Sequence, residues 1–223
     1  MGTKRGAFIV FEGLDRLGKT TQSRLLLDYL KNDKRLLCER LSFPKRDTKI
    51  GELIDLYLKN KIDYDDHSIH LLFSANRWEC NRQIEEKLLN GTTLIVDRYV
   101  YSGIAFSHAK GTLDYNWCCS CDFGLIKPDL VLYMNKGNLA VKNSGTDGGE
   151  RYETTEMQAK VEKCFEKFQN ASYWTSINVS QQNGNFRSET DIQNDVQLKV
   201  SEIFEQIKDE KLNRLWKKDF ECS

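Results

Sequence analysis

An eight-residue segment near the N-terminus constrains this chain more than any other feature. Residues 13–20 read Gly-Leu-Asp-Arg-Leu-Gly-Lys-Thr, the phosphate-loop pattern of a glycine, any four residues, then Gly-Lys and Ser or Thr. In such loops backbone N–H groups surround a phosphate, the lysine reaches the β- and γ-phosphates, and the hydroxyl binds Mg²⁺. The pattern predicts a nucleoside triphosphate site. Its expected contacts are Gly13, Arg16, Leu17, Gly18, Lys19, Thr20 and Thr21.

The segments on either side of the loop support this interpretation. Residues 7–11 form a short apolar run typical of a buried strand, and apolar residues recur at helical spacing from 19 to about 32. A helix that starts behind the loop directs the positive end of its dipole at the phosphates. Because strand, loop and helix follow in this order, we favour a phosphate site over an ordinary glycine turn.

Strands and helices alternate along the rest of the chain. Further strands are predicted at 36–43, 93–96, 130–134 and 176–179, and further helices at 48–59, 68–90, 151–168 and 192–207. This alternation predicts an α/β fold, a parallel sheet with helices on both faces. A length of 223 residues, without repeats or low-complexity linkers, suits one domain over 1–223.

Charge and composition exclude several classes of protein. The chain has 33 Lys and Arg against 33 Asp and Glu, a zero balance that argues against a general nucleic-acid binder. No apolar run reaches the roughly 18 residues of a membrane-spanning helix. The seven cysteines do not suggest a disulfide framework. We therefore expect a cytoplasmic protein, with a nuclear or mitochondrial share left open.

A charged pair after the third predicted strand, Asp97-Arg98, points to phosphoryl transfer. A carboxylate at the end of a buried parallel strand can hold Mg²⁺ together with Thr20, although an ordinary Asp97–Arg98 ion pair is the alternative. Residues 134–137 lack the aspartate of the guanine-reading motif of GTPases. Arginines at several expected loop ends favour a kinase for a small phosphorylated substrate, because transfer between two anions requires several cations.

Three side chains indicate where an acceptor binds. Arg46 follows the second strand, at the sheet edge where ligands of open α/β sheets bind. Phe73 and Arg77 are four residues apart on a helix and share a face, which suits stacking on a base and bonding its edge. Periodicity alone favours a core position for Phe73. The neighbouring Arg77 argues against that, because arginine is rarely buried without a partner.

Together these motifs resemble the thymidylate (dTMP) kinase family, in its eukaryotic-like branch with the catalytic arginine in the phosphate loop. The resemblance rests on the loop with Asp15-Arg16 inside it and on the segments 43–46, 66–78, 97–103, 127–130 and 150–153. It implies transfer of the γ-phosphoryl group of ATP, with Mg²⁺, to dTMP, giving dTDP for dTTP biosynthesis. It also implies the nucleoside monophosphate kinase fold, with five parallel strands, a LID loop at about 136–150 and a homodimer.

The resemblance assigns roles to individual residues. It implies that Arg46 and Arg98 hold the dTMP phosphate, that Phe73 stacks on thymine, and that Arg77 bonds its carbonyl edge. Asp15 is expected to accept the 3′-hydroxyl and Tyr152 to crowd the 2′ position. The other expected pocket residues are Phe43, Gly103, Phe106 and Gln158, with Tyr101 as an alternative to Phe106. The expected catalytic residues are Arg16, Lys19, Asp97 and Arg98, and the expected metal ligands are Thr20 and Asp97.

Other hypotheses stay open on the sequence. A kinase for another pyrimidine nucleotide or for a deoxynucleoside shares these motifs, but a nucleoside has no phosphate for Arg46 to hold. A regulatory nucleotide-binding protein without turnover has no need of Arg16. We interpret His67 and His70 as part of a helix start, and residues 118–121, Cys-Cys-Ser-Cys, as free thiols, rather than as metal ligands. No role is assigned to residues 180–191 or to adenine contacts.

Overall fold

A parallel sheet of five strands is the centre of the fold. The computed structural model describes residues 5–137, 139, 150–207 and 210–216. The strands lie in the order β2-β3-β1-β4-β5, and each neighbouring pair is parallel. Their bounds are β1 Phe8–Gly13, β2 Cys38–Ser42, β3 Thr93–Asp97, β4 Leu130–Asn135 and β5 Trp174–Asn178. Every residue of β1 is buried, so both faces of the sheet centre are covered, as expected of a parallel sheet.

Seven α-helices are described, and most of them connect the strands. They are α1 Lys19–Asn32, α2 Lys49–Leu58, α3 Asp66–Leu89, α4 Val100–His108, α5 Tyr115–Ser120, α6 Thr155–Phe165 and α7 Glu189–Gln206. Helix α1 packs with α7, whereas α2 packs with α3, α3 with α4, and α4 with α5 and α6. Side-chain caps fix several starts, because Thr48, Asp65, Asp114, Thr154 and Ser188 each accept a backbone N–H of the first turn.

The predicted α/β class and the five parallel strands are confirmed, with shifts at the element ends. The predicted strand 36–43 is Cys38–Ser42, the predicted strand 176–179 is Trp174–Asn178, and the helix predicted from 151 begins at Thr155. Helix α4 has no counterpart in the sequence prediction. It is buried on several sides, at Val100, Tyr101, Ser102, Ile104, Ala105 and Ser107, so it lacks the apolar stripe by which an amphipathic helix is found.

The carboxyl edge of the sheet gathers the segments that matter for function. The loop from Gly13 to Gly18 leaves β1, the segment from Phe43 to Arg46 leaves β2, and Asp97 ends β3. The predicted LID, 136–150, lies outside the described residues except at 136, 137, 139 and 150. Within the described ranges no helix is long and apolar enough to cross a membrane.

Candidate active site

A cavity of about 710 Å³ opens at this carboxyl edge, a size typical of small-molecule sites. Most of the predicted site residues line it: Asp15, Arg16, Gly18, Lys19, Thr20, Thr21, Phe43, Arg46, Phe73, Arg77, Asp97, Arg98, Gly103, Phe106 and Tyr152. Gly13, Leu17 and Gln158 are not among its lining residues. Leu17 is buried in the apolar core, whereas Gly13 and Gln158 contact residues of the cavity wall from behind.

The local sequence explains the backbone conformation of the phosphate loop. Gly18 is the N-cap of α1 with φ 83°, a left-handed conformation that glycine adopts without strain. Arg16 is also left-handed, at φ 63°, and its side chain is 48% exposed at the cavity wall. Lys19, the first residue of α1, is buried and donates to the Leu14 carbonyl oxygen. The loop thus places two cations on the cavity, one enclosed and one at its surface.

The Lys19 ammonium is held where a charge is costly without an anion. Burial, followed by the nearby charge of Arg98, lowers the pKa of Lys19 to about 7, although Asp15, Asp97 and Glu12 act in the opposite direction. A phosphate group placed beside Lys19 stabilises the ammonium and raises its pKa again. The loop is therefore electrostatically prepared for an anionic ligand.

We expect nucleotide binding to return a proton to Lys19. At about pH 8 the free protein holds Lys19 mainly neutral, so binding of Mg-ATP should take up close to one proton. Well below the pKa of Lys19 the uptake should disappear, because the ammonium is already formed. Isothermal titration calorimetry in buffers of different ionisation enthalpy measures this uptake. An equal uptake by Lys19→Met would contradict the assignment.

A hydroxyl and a carboxylate meet beside the loop. The Thr20 hydroxyl donates to Asp97 Oδ2 at 2.7 Å. Arg40 of β2, which the sequence analysis did not single out, donates from Nη2 to the same oxygen at 2.8 Å and from Nε to Ser23. The oxygens of Thr20 and Asp97 are hard ligands of the kind that Mg²⁺ takes alongside nucleotide phosphates and water. Among the described residues no group of three or more Asp, Glu, His or Cys forms a cage for a metal by itself.

Asp97 and Arg98 each form an ion pair with another residue, whereas the alternative given above was an ion pair between the two. Asp97 pairs with Arg40, and Arg98 pairs with Asp15 across the mouth of the phosphate loop. Arg98 is left-handed at φ 65°, and its Nη1 donates to the Ser102 hydroxyl at 2.9 Å and to the Gly13 carbonyl at 3.1 Å. The guanidinium is therefore fixed at the end of β3, beside the phosphate loop.

Asp15 is held ionised in this arrangement. Its Oδ2 accepts from Gln158 Nε2 at 2.7 Å, and its backbone N–H donates to Gln158 Oε1 at 3.1 Å. Burial by itself raises the pKa of Asp15, but the charges of Arg98 and Lys19 and the bond from Gln158 outweigh it and lower the pKa below its ordinary value. An ionised carboxylate here is a strong acceptor for a hydroxyl group.

Two more arginines on the cavity are each paired with carboxylates that the sequence analysis did not assign. Arg46 binds Asp55 of α2 and Glu150, the latter at 2.6 Å. Arg16 binds Glu153 at 2.9 Å. Glu150 and Glu153 belong to the quoted segment 150–153, which is the only sequence signal that could have indicated them. An anionic ligand can replace these carboxylates as the partner of Arg46 and of Arg16.

The aromatic side of the cavity is built from α3, α4 and the segment before α6. Phe73 is half-buried: it lines the cavity and also packs against the apolar cluster of Ile54, Tyr57, Leu58 and Ile69. The rings of Phe106 and Tyr152 lie 5.5 Å apart, and the Arg98 guanidinium lies 5.3 Å from the Phe106 ring. Tyr101 is fully buried against Phe168 and Trp174, so Phe106 occupies the cavity wall.

Glu12 orders this region from behind, which no sequence motif indicated. It is fully buried at the end of β1, and it accepts the backbone N–H groups of Tyr99 and Ser102 at 2.9 and 3.1 Å and the Ser102 hydroxyl. Burial raises its pKa despite these bonds and the charge of Arg98. Glu12 thereby caps the N-terminus of α4 and fixes the segment that carries Arg98.

Removing this cap should cost stability. Glu12→Ala should lower the free energy of unfolding by about 2–4 kcal/mol, because two backbone N–H groups at the start of α4 lose their acceptor inside the protein. Glu12→Gln retains an amide oxygen and should lose less. Urea denaturation of the three proteins measures the difference. Equal stability of Glu12→Ala and the unchanged chain would show that the cap contributes nothing.

His70 and two of the clustered cysteines are buried in the protein. His70 is buried between the Ser107 hydroxyl and the Cys118 carbonyl, and burial, followed by the charge of Arg77, lowers its pKa to about 4. Burial raises the pKa of Cys118 and of Cys119 to about 12, so both remain thiols. His67 lies in the first turn of α3, as predicted.

The chain is similar to known proteins over most of its length. The family model described as thymidylate kinase matches residues 11–208. A thymidylate kinase of Dictyostelium discoideum is 44% identical over 202 residues, 91% of this chain and 86% of that protein. A thymidylate kinase of Homo sapiens is 41% identical over 219 residues, 97% of this chain and all of that protein. The solved thymidylate kinase of Candida albicans superimposes with a TM-score of 0.79 at 32% identity, covering 94% of this chain and 98% of that one.

Proposed function

The chain belongs to the thymidylate kinase family, and we propose that the cavity at the carboxyl edge of its sheet is the place where ATP and dTMP react. The protein is an enzyme that catalyses ATP-dependent phosphorylation of dTMP, giving dTDP and ADP. The observation that carries the proposal is the convergence of the phosphate loop with Arg46, Arg98 and an aromatic wall on one cavity. The cavity therefore contains groups that can bind a donor nucleotide and groups that can bind an acceptor nucleotide.

We assign the acceptor phosphate to Arg46 and Arg98. These side chains are paired with Asp55, Glu150 and Asp15, so a bound phosphate takes the place of carboxylates beside them. This exchange keeps both arginines ordered and leaves Asp15 free to accept the sugar 3′-hydroxyl while Gln158 still holds it. A guanidinium group can donate two parallel hydrogen bonds to two phosphate oxygens. This fixes the orientation of the phosphate and of its attacking oxygen.

The base and sugar faces follow from the aromatic wall. Phe73 offers its half-exposed ring for stacking on thymine, and the buried Arg77 borders the same cavity. Tyr152 is held by a hydrogen bond of 3.2 Å between its hydroxyl and that of Tyr57, beside Phe106. We propose that this ring crowds the 2′ position, so that deoxyribose is preferred to ribose.

The donor side is the phosphate loop with Lys19 and Arg16. Lys19 holds the β- and γ-phosphates, and Arg16 leaves Glu153 to reach the transferring phosphoryl group. Mg²⁺, for which Thr20 and Asp97 supply suitable oxygens, neutralises charge on the β- and γ-phosphates when it is bound. The transfer breaks the bond between the γ-phosphorus and its bridging oxygen and forms a bond from that phosphorus to a dTMP phosphate oxygen.

The role of Asp15 gives a specific expected result. Asp15→Asn should lower kcat/KM for dTMP by about ten- to a hundredfold, the scale of a charge-assisted hydrogen bond of roughly 1.5–3 kcal/mol. The 3′-deoxy analogue of dTMP lacks the hydroxyl and should lose much less. Steady-state kinetics with both substrates makes the comparison. Equal losses would remove the assignment of Asp15 to the 3′-hydroxyl.

The acceptor identity is tested with a panel of substrates. Coupled ADP release should be fast with dTMP and much slower with dCMP, dGMP and thymidine, while dUMP reports how strongly the thymine methyl group is required. Rapid turnover of thymidine would favour a deoxynucleoside kinase instead. Two arginines at the acceptor end of the cavity favour a phosphorylated acceptor over a nucleoside. ADP release independent of any acceptor would indicate a nucleotide hydrolase.

The assembly and location are part of the proposal. Leu53 and Leu56 on α2 and Leu71 and Trp78 on α3 are large apolar side chains exposed on two helices that pack together. We propose that they contribute to a homodimer, which sedimentation equilibrium tests directly.

Free thiols at the six described cysteines suit a reducing, cytoplasmic compartment, and cell fractionation tests that location. We further propose one kinase domain over the whole chain, with its LID at about 136–150.

A further inference from the structure

We propose that Asp122 and Gly103 are positioning residues that fix the Arg77 guanidinium at the base edge, so that discrimination between 4-oxo and 4-amino pyrimidines depends on them. The inference rests on the proposed function, in which Arg77 meets the base of the acceptor. It concerns how Arg77 is fixed in place.

Asp122 anchors Arg77 through a buried ion pair. The Arg77 Nε and Nη2 atoms donate to the two Asp122 oxygens at 3.1 and 2.6 Å, and the exposed fractions of the two side chains are 2% and 0%. The Ser74 hydroxyl donates to Asp122 Oδ1 at 2.8 Å and orients the carboxylate. Buried charges of this kind are tolerated when each is paired and hydrogen-bonded. The pair therefore fixes two of the three nitrogens of the guanidinium.

Gly103 supplies the space on the other side of the guanidinium. A Cβ atom at position 103 would lie 2.7 Å from Arg77 Nη1, 2.9 Å from Nη2 and 3.0 Å from Cζ. A side chain there would push the guanidinium out of its place, and the pairing with Asp122 prevents an easy retreat. Gly103 lies on α4 and lines the cavity together with Arg77. The glycine thus allows close packing of the arginine beside the base pocket.

This fixed guanidinium has a consequence for base selection. Arginine carries donors and no acceptor, and it keeps its charge at all relevant pH values. With Nε and Nη2 committed to Asp122, the group toward the base is a fixed N–H donor. A carbonyl at C4 of thymine or uracil accepts from it, whereas the amino group of cytosine places two donors face to face. Sites that require a hydrogen bond reject a mismatched analogue by roughly 10⁴–10⁵.

The test measures kcat and KM for dTMP and dCMP in matched variants. Asp122→Asn and Gly103→Ala should each raise the KM for dTMP and lower the dTMP-to-dCMP ratio of kcat/KM by about tenfold or more, with the KM for ATP unchanged. Asp129→Asn is the control, because Asp129 forms a similarly buried ion pair with Arg5 away from the cavity. Its selectivity ratio should equal that of the unchanged chain.

A double-mutant cycle keeps the proposal falsifiable if Asp122→Asn does not fold. Gly103→Ala should have no further effect on selectivity in an Arg77→Met background, because its action passes through Arg77. Additive losses in that background, or a selectivity ratio within about twofold of the unchanged chain in both Asp122→Asn and Gly103→Ala, would overturn the inference. Failure of the unchanged chain to phosphorylate dTMP, or an unaltered KM for dTMP in Arg77→Met, would instead overturn the proposed site.

Discussion

Arg16→Ala should lower kcat by roughly 10³–10⁵ while leaving the KM for ATP nearly unchanged, the effect of removing an arginine that stabilises a transferring phosphoryl group. Arg16 lies inside the phosphate loop at the cavity surface and forms an ion pair with Glu153. The charge that Arg16 is proposed to stabilise develops mainly in the transition state, so ground-state nucleotide binding should lose little.

Two control variants sharpen this prediction. Arg16→Lys keeps the charge but loses the planar fork, and it should recover only part of the rate. Lys142→Ala, in the predicted LID outside the described residues, should cost much less, because no arginine occurs between residues 136 and 150 and the catalytic cation is expected in the phosphate loop. A mild loss at Arg16 together with a severe one at Lys142 would move that cation to the LID.

Lys19→Met should have the second-largest effect, a loss of about 10²–10³ in kcat. Unlike Arg16, Lys19 is enclosed beside Asp15 and Asp97, and we propose that it contacts phosphates in the ground state as well, so the KM for ATP should also rise. Methionine retains most of the side-chain volume and removes the ammonium. The measurement is kcat and KM for ATP at saturating dTMP.

The stability of Lys19→Met separates this effect from unfolding. A buried ammonium whose pKa is lowered to about 7 opposes folding below its ordinary pKa, so the ligand-free variant should be at least as stable as the unchanged chain near neutral pH. A large loss of kcat in a fully stable protein then reports catalysis. Unchanged kinetics in Lys19→Met would exclude Lys19 from the transfer.

The sheet was predictable because its strands carry the signal that sequence patterns detect. The apolar or β-branched runs of β1, β3 and β4 are short, continuous and buried on both faces, as expected in a parallel sheet. Helix α4 was not predictable in this way, because it contains Gly103, a poor helix former, and its buried residues lie around several sides. Packing by the sheet, α3, α5 and α6 stabilises this helix where periodicity gives no indication.

The phosphate loop was predictable for a different reason. The residues expected to bind the phosphates are adjacent in sequence, so a pattern of eight residues is enough to predict them. Phe73 shows the limit of such reasoning, because periodicity gave a core residue and chemistry gave a base-stacking residue. Phe73 packs on an apolar cluster, as periodicity indicates, and it also lines the cavity, so its stacking on a base stays a prediction.

Several partners of the functional side chains were not assigned from the sequence. Asp122 is 45 positions from Arg77, and Glu153 is 137 positions from Arg16. A single carboxylate in a loop has no periodicity, and its role exists only once the fold brings it to its cation. The same holds for Arg40, which reaches Asp97 because β2 and β3 are neighbours in the sheet. Tertiary contact alone identifies these residues.

The central claim is that one cavity brings ATP and dTMP together for direct phosphoryl transfer. Anion-exchange chromatography of the products formed from Mg-ATP and dTMP, with phosphorus NMR to detect inorganic phosphate, tests it most directly, because dTDP and ADP are then quantified separately. We expect dTDP and ADP to form in equal amounts, with no inorganic phosphate, and we expect Arg46→Met and Arg98→Met to slow dTDP formation. Release of inorganic phosphate with dTMP left unchanged would contradict it.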